Sequence, residues 1–256
     1  MKFLYAIIGL LLITSCVSSK GLDYKEGSDN VYENDVKNVL DHSDWDTLLK
    51  KHVNASGLVD YQGFIDDTSK LQTYIDYLGQ NTPTNSWSYQ EQLAYYINVY
   101  NANTIKLIVD NYPVKSIKDV DATISPFLKS FINLGGKELS LADVEKGILQ
   151  KMNEPRIHFA INCASISCPK LMRDAYTAEN VDALMEQAGK EFVNSKENEI
   201  SSNTVRLSEI FKWYKNDFLT DANSILEYVN RYSDAKINPN ATVEYIEYNW
   251  NLNDTK

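Results

Sequence analysis

The chain is poor in cysteine and histidine, with three of each in 256 residues, so thiol and imidazole chemistry have few places to sit. Positive charge is also short: 25 Lys and Arg face 35 Asp and Glu, a formal net charge of −10. The sequence-independent attraction for phosphate backbones and anionic lipid comes from Lys and Arg, which excludes nucleic acid as a partner and disfavours anionic lipid for the folded part. Beyond the first sixteen residues no other apolar run approaches the roughly 20 residues a membrane-spanning helix needs. Internal repeats and low-complexity blocks are absent as well. What remains is enough chain, about 220 residues, for one large domain with its own core.

The most legible segment comes first. Met1-Lys2 gives a positive start, Phe3 to Ile13 is apolar apart from Gly9, and Thr14-Ser15 are small, the pattern of a secretory leader. Ile13-Thr14-Ser15-Cys16 resembles the bacterial lipobox, in which cleavage falls before a lipid-modified cysteine. Residues 1–15 are therefore expected to be a signal peptide, with Cys16 the lipidated N-terminus. Two or more acyl chains on it would anchor stably. Val17 to about Asp35 is rich in Ser, Gly, Asp and Lys and reads as a flexible tether, followed by one globular domain over 36–256. The expected location is the bacterial cell envelope, lipid-anchored, with the outer membrane favoured over the inner.

Within the domain, helices outnumber strands. Ser43 with Asp44 and Asp46 opens a short helix, and Leu71, Tyr74, Ile75 and Leu78 fall at helical spacing. Tyr89 to Tyr112, closed by Pro113, is the longest helical pattern and the expected central helix. Phe131 to Leu139 predicts a hairpin around Gly135-Gly136, and Ser140 with Asp143 resembles a capping box opening the next helix. Arg156 to Asn162 is short and apolar and reads as a buried strand. Thr177 and Ser208 cap two later helices, the first running to about Val193, and Val243 to Trp250 alternates like a final strand. The expected fold is α+β, helix-rich, with a small, mainly antiparallel sheet.

Chemistry concentrates in RIHFAINCASISCPKL, residues 156–171, which holds Cys163, Cys168 and His158. A thiol becomes nucleophilic where a base or a helix start favours its thiolate. Cys168 precedes Pro169, suited to a first helical position, so spacing favours Cys168 slightly over Cys163. His158 and Cys163 would point to opposite faces of an unbroken strand, five being an odd separation. Three other readings fit the same residues: a Cys163–Cys168 disulfide, a metal site that lacks a fourth ligand, or two small buried hydrophobes. On the central helix Glu91, Asn98 and Asn101 form a second constellation. Asn is disfavoured inside helices, so these amides either knit loops to the helix or donate to an oxyanion, while Glu91 or Glu145 orients His158.

The strings LAYYINVYNANTIKLIV, PVKSIKDV, LSLADVEKGIL, EPRIHFAINCASISCPKL, LSEIFKWYKNDF and EYNWNLN together resemble the family of domain of unknown function 547, from about Asp60 to Asn253. The resemblance implies bacterial secreted or lipoprotein-type relatives, and plant relatives behind leucine-zipper regions, with no activity assigned. Its pattern includes Glu91, Asn98, Asn101, His158, Cys163 and Cys168. The functional expectation is a thiol-dependent hydrolase or acyl transferase acting on an amide or ester, with a peptide or glycan substrate and no cofactor or metal. Cys168 or Cys163 would attack, His158 would carry the proton, and Glu91 or an Asn would hold the ring. The arrangement would be papain- or transglutaminase-like but permuted, because no cysteine opens the central helix near Ser88. The opposed expectation is a non-enzymatic envelope binding module, its two cysteines bridged.

Overall fold

In the computed structural model, which describes residues 17–27 and 40–256, three helices precede the centre: α1 (Ser43–His52), α2 (Tyr61–Asp66) and α3 (Thr68–Gln80). The leader, Cys16 and residues 28–39 of the expected tether and domain start lie outside the described residues. α1 turns Trp45, Leu48 and Leu49 inward, and α3 buries Leu71, Tyr74 and Leu78, the spacing of one apolar stripe. The α1 stripe packs on α3, and α3 packs on α4 (Tyr89–Val109), which starts where Ser88 accepts a hydrogen bond from the Glu91 backbone N–H. From Gln90 to Val109 every residue of α4 except Lys106 is buried. A helix covered on all sides is a core strut, and its buried amides must find partners within the protein.

The hairpin β1 (Ile132–Leu134) and β2 (Lys137–Leu139) is antiparallel, and Gly135 and Gly136 both take positive φ, as a tight two-residue turn requires. Ser140 then accepts from the Asp143 N–H while Asp143 accepts from the Ser140 N–H, a capping box that opens α5 (Leu141–Gly147).

The expected strand at 156–162 is instead a single helical turn, α6 (Ile157–Ala160). Backbone N–H groups of Ile157, His158 and Phe159 bond back to Glu154, Pro155 and Arg156, so the turn closes behind Pro155. Four residues, three of them apolar, carry no periodicity able to separate a strand from a buried turn of helix. α7 (Val181–Val193) follows, its entry fixed by reciprocal bonds between Thr177 and Asn180.

β3 (Glu199–Ile200) pairs antiparallel with β4 (Thr204–Ser208). The short helices α8 (Ile210–Trp213), α9 (Lys215–Phe218) and α10 (Ile225–Asn230) then lead to β5 (Thr242–Ile246), which runs parallel to β4. A parallel neighbour needs such a crossover. The domain is helix-rich α+β with two small sheets. Past β5 the chain leaves the sheet: Ile166 and Ser167 donate to the carbonyls of Asn251 and Asn249, and Ser165 bridges to Leu252. The final residues thereby brace the 163–168 loop.

Residues 17–27, expected to belong to a loose tether, lie along the domain. Ser18 N–H donates to Asp143 at 2.9 Å, Lys25 N–H to the Gln92 side chain at 2.7 Å, and Tyr96 OH to the Asp23 carbonyl at 2.6 Å, with Leu22 buried. Gly147 makes room for this path: a Cβ there would stand 2.6 Å from the Ser18 carbonyl carbon. The polar backbone of the segment is matched by fixed acceptors and donors on α4 and α5, which composition alone does not reveal.

Candidate active site

α6 sets His158 in place. Its neighbour Phe159 is locked among Phe192, Phe211, Phe218 and Tyr228, so the turn cannot rotate without breaking an aromatic cluster. His158 is 2 % exposed and its ring stacks on Tyr214 with centroids 3.8 Å apart. Its Nε2 lies 2.7 Å from an Asp217 carboxylate oxygen. A carboxylate only accepts, so Nε2 carries a proton. Nδ1 is buried and has no hydrogen-bond partner. Tyr214 and Asp217 stand three residues apart, the Asp217 N–H bonded to the Tyr214 carbonyl, so a single turn supplies both the stacking face and the acceptor.

After α6 the backbone extends at Ile161 and turns at Ala164, which has φ +60°. Asn162 shapes the loop: its side-chain Oδ1 accepts from the Ala164 N–H at 2.9 Å and its side-chain Nδ2 donates to the Pro169 carbonyl at 2.8 Å. The two sulfurs are free thiols held 3.2 Å apart. Cys163 Sγ also lies 3.1 Å from Ser165 Oγ and 3.2 Å from Tyr248 OH. The Cys168 hydrogen bond is the largest influence on Cys163. Burial pushes the thiol up, but with Ser165 and Tyr248 also bonding to the sulfur it is held at about 7. Burial and the neighbouring Cys163 push Cys168 the other way, well above the ordinary thiol range. Of the two sulfurs, Cys163 is therefore the one that ionises first. This reverses the slight sequence preference for Cys168, because Pro169 opens no helix here.

His158, Cys163 and Cys168 line one cavity of about 370 Å³, walled by Tyr100, Phe127, Trp213, Tyr214, Tyr248 and Trp250, with Glu145 on α5. The ring and the sulfurs share this space without a hydrogen bond between them. Glu91, Asn98 and Asn101 do not line it. Glu91 is wholly buried and accepts from the Leu40 N–H, so the expected orienting acid is Asp217 instead, 59 residues beyond the histidine. Asn98 bonds both the N–H and the carbonyl of Tyr176. Asn101 bonds the Ala160 carbonyl at 3.0 Å and the Asn162 N–H at 2.8 Å. Neither amide can serve an oxyanion in the cavity. Both knit loops to α4, and Asn101 knits the one that carries Cys163. Asp217, Tyr214 and Tyr248 had no spacing signal to announce them, although each falls inside a string that carries the family resemblance. Among the described residues no group of three or more His, Cys, Asp or Glu is placed to hold a metal ion.

Residues 84–193 match the family described as "Protein of unknown function, DUF547". Over this stretch the chain is similar to that family. The matched stretch includes α4, His158 and both cysteines, but ends before Asp217, Tyr214 and Tyr248. The matched segment thus supplies the thiols and the imidazole, while chain beyond it supplies the groups that hold them. No match was found among curated proteins, and none among solved structures.

Proposed function

We propose that this protein is a lipid-anchored cell-envelope enzyme, a thiol-dependent hydrolase or acyl transferase acting on an amide or ester. The observation that carries the reading is the shared cavity. In it lies a sulfur held as thiolate near neutral pH, together with an imidazole whose Nε2 is tied to Asp217 and whose Nδ1 is unbonded. Cys163 Sγ attacks the carbonyl carbon, forming a C–S bond, and the tetrahedral adduct collapses as the C–N or C–O bond breaks. The leaving group takes the proton that the Cys163 thiol has passed to His158 Nδ1. Water, or an acceptor nucleophile, then attacks the thioester and returns a proton to Nδ1 as the thiolate departs. Asp217 keeps the ring in the orientation both transfers need.

The test is incubation with p-nitrophenyl acetate followed by intact-mass measurement. An acetyl adduct on Cys163 that turns over, and that Cys163→Ala and His158→Ala abolish, is the expected result. Equal release of nitrophenol by wild type and Cys163→Ala would contradict it. The lipid anchor rests on the leader and Cys16, and no described helix is long and apolar enough to cross a membrane. Labelling with an alkyne fatty acid should be lost on Cys16→Ser. One observation favours a binding module instead: Trp213 is 44 % exposed at the cavity mouth. In that reading Cys163→Ala leaves ligand affinity intact and no acyl adduct forms.

A further inference from the structure

Glu145 brings a carboxylate into a cavity with a largely aromatic and aliphatic wall. Its carboxylate is 6 % exposed and lines the same space as Cys163 and His158. Oε1 accepts from Tyr214 OH at 2.7 Å, whereas Oε2 has only Tyr100 OH, at 3.5 Å. A carboxylate offers about four acceptor positions, so most of its capacity is unused. Among the described residues no Lys, Arg or His forms an ion pair with it. Lys146, the cavity's other charged side chain, is exposed. A buried carboxylate without a counter-charge is costly, and a cation entering the cavity would relieve that cost. The walls suit one: aromatic faces attract ammonium groups, and at this same rim Lys118 Nζ already sits 3.7 Å from the Trp250 ring centre. The Cys163 thiolate adds negative charge to the space, and the charge of Glu145 is felt at that sulfur.

We infer that the cavity selects a substrate bearing a free ammonium close to the scissile carbonyl, with Glu145 as the specificity residue and the aromatic wall as its surround. The carbonyl part rests on the thiol-enzyme reading above, while the ammonium part does not. A neutral or acylated amine would leave Oε2 unsatisfied.

The experiment is calorimetric titration of the Cys163→Ala protein at pH 6.5 with phenylalanine amide, whose α-amine is protonated there, and with N-acetylphenylalanine amide. The cationic amide should bind at least about tenfold more tightly. Glu145→Gln should remove that preference, and Glu145→Asp, which keeps the charge, should retain part of it. Equal or tighter binding of the acetylated compound, binding of neither, or a preference that survives Glu145→Gln would overturn the inference. The alkylation rate of Cys163 in the wild-type protein is read separately. Loss of ammonium preference with a reactive thiol sinks the specificity and spares the enzyme, and the reverse pattern spares the binding site alone.

Discussion

Replacing Asn101 with alanine removes two hydrogen bonds at once. The side chain is 2 % exposed, and its loss leaves the Ala160 carbonyl and the Asn162 N–H buried without partners. An orphaned buried polar group costs roughly 1–3 kcal/mol, so the pair costs about 2–6 kcal/mol. Alanine's better helix propensity returns about 0.6 kcal/mol. A net destabilisation of about 3 kcal/mol is expected, a large share of the roughly 5–15 kcal/mol that holds a domain folded, yet small enough to leave it native. Urea denaturation at pH 7.5 measures it, the midpoint falling with the slope unchanged. Asn98→Ala is the matched control, since Asn98 makes the same two kinds of bond to Tyr176. Both variants should lose comparable stability. Only Asn101→Ala should shift the alkylation profile of Cys163, because only Asn101 grips the residues flanking it. A loss below about 0.5 kcal/mol for Asn101→Ala would refute the reasoning, as would an equal shift in both profiles.

Other perturbations separate the remaining parts of the account. Burial holds the His42 imidazole at about 4, below its ordinary value of 6.5. The unfolded chain takes up that proton first, so this contribution is complete above pH 6.5 and drains away as pH falls to about 4. The loss is about 3 kcal/mol in all. The stability difference between wild type and His42→Gln, from urea titrations at pH 7 and pH 4.5, should change accordingly, and a constant difference would contradict it. Asp217→Asn should keep the fold but lower turnover of an activated ester by roughly 10²–10⁴-fold through loss of the correct ring tautomer. Gly147→Ala should displace the 17–27 segment, raising hydrogen exchange at Ser18 and Lys25 while leaving the far side of the domain unchanged. Unaltered exchange there would show that the segment does not depend on the close approach at Gly147.

Local signals read well from the residues. The Ser140/Asp143 capping box, the Gly135-Gly136 turn and the Ser88 start of α4 involve groups within four residues of one another, so spacing alone carries them. α6 failed that test because its four residues fit a strand and a helical turn equally well, and the turn is what frees Cys163 from strand alternation. The amides of α4 were legible as groups in need of partners, but which carbonyl each finds depends on how the 160–162 and 176 segments pack. The cavity is less legible still. His158 meets an acid from α9, Cys163 meets a phenol from beyond β5, and Glu145 comes from α5, contacts set by tertiary packing across 59 to 85 residues of chain. Docking of residues 17–27 was hidden for the same reason, since a polar, Ser- and Lys-containing segment reads as solvated until its partners on α4 and α5 are known.

The central claim, that Cys163 is the thiolate of a dithiol pair in an open cavity, is tested most directly by initial alkylation rates at each cysteine across pH 5.5–9.5. Peptide mass spectrometry of iodoacetamide-treated, unreduced protein supplies them. Held at about 7 against an ordinary 9.0, Cys163 is roughly half ionised at pH 7, where an unperturbed thiol is about one-hundredth ionised. Its rate should therefore rise through a midpoint near 7 and level off, while Cys168 stays slow to the top of the range. Labelling of neither cysteine before reduction would contradict the claim, as would Cys168 reacting first.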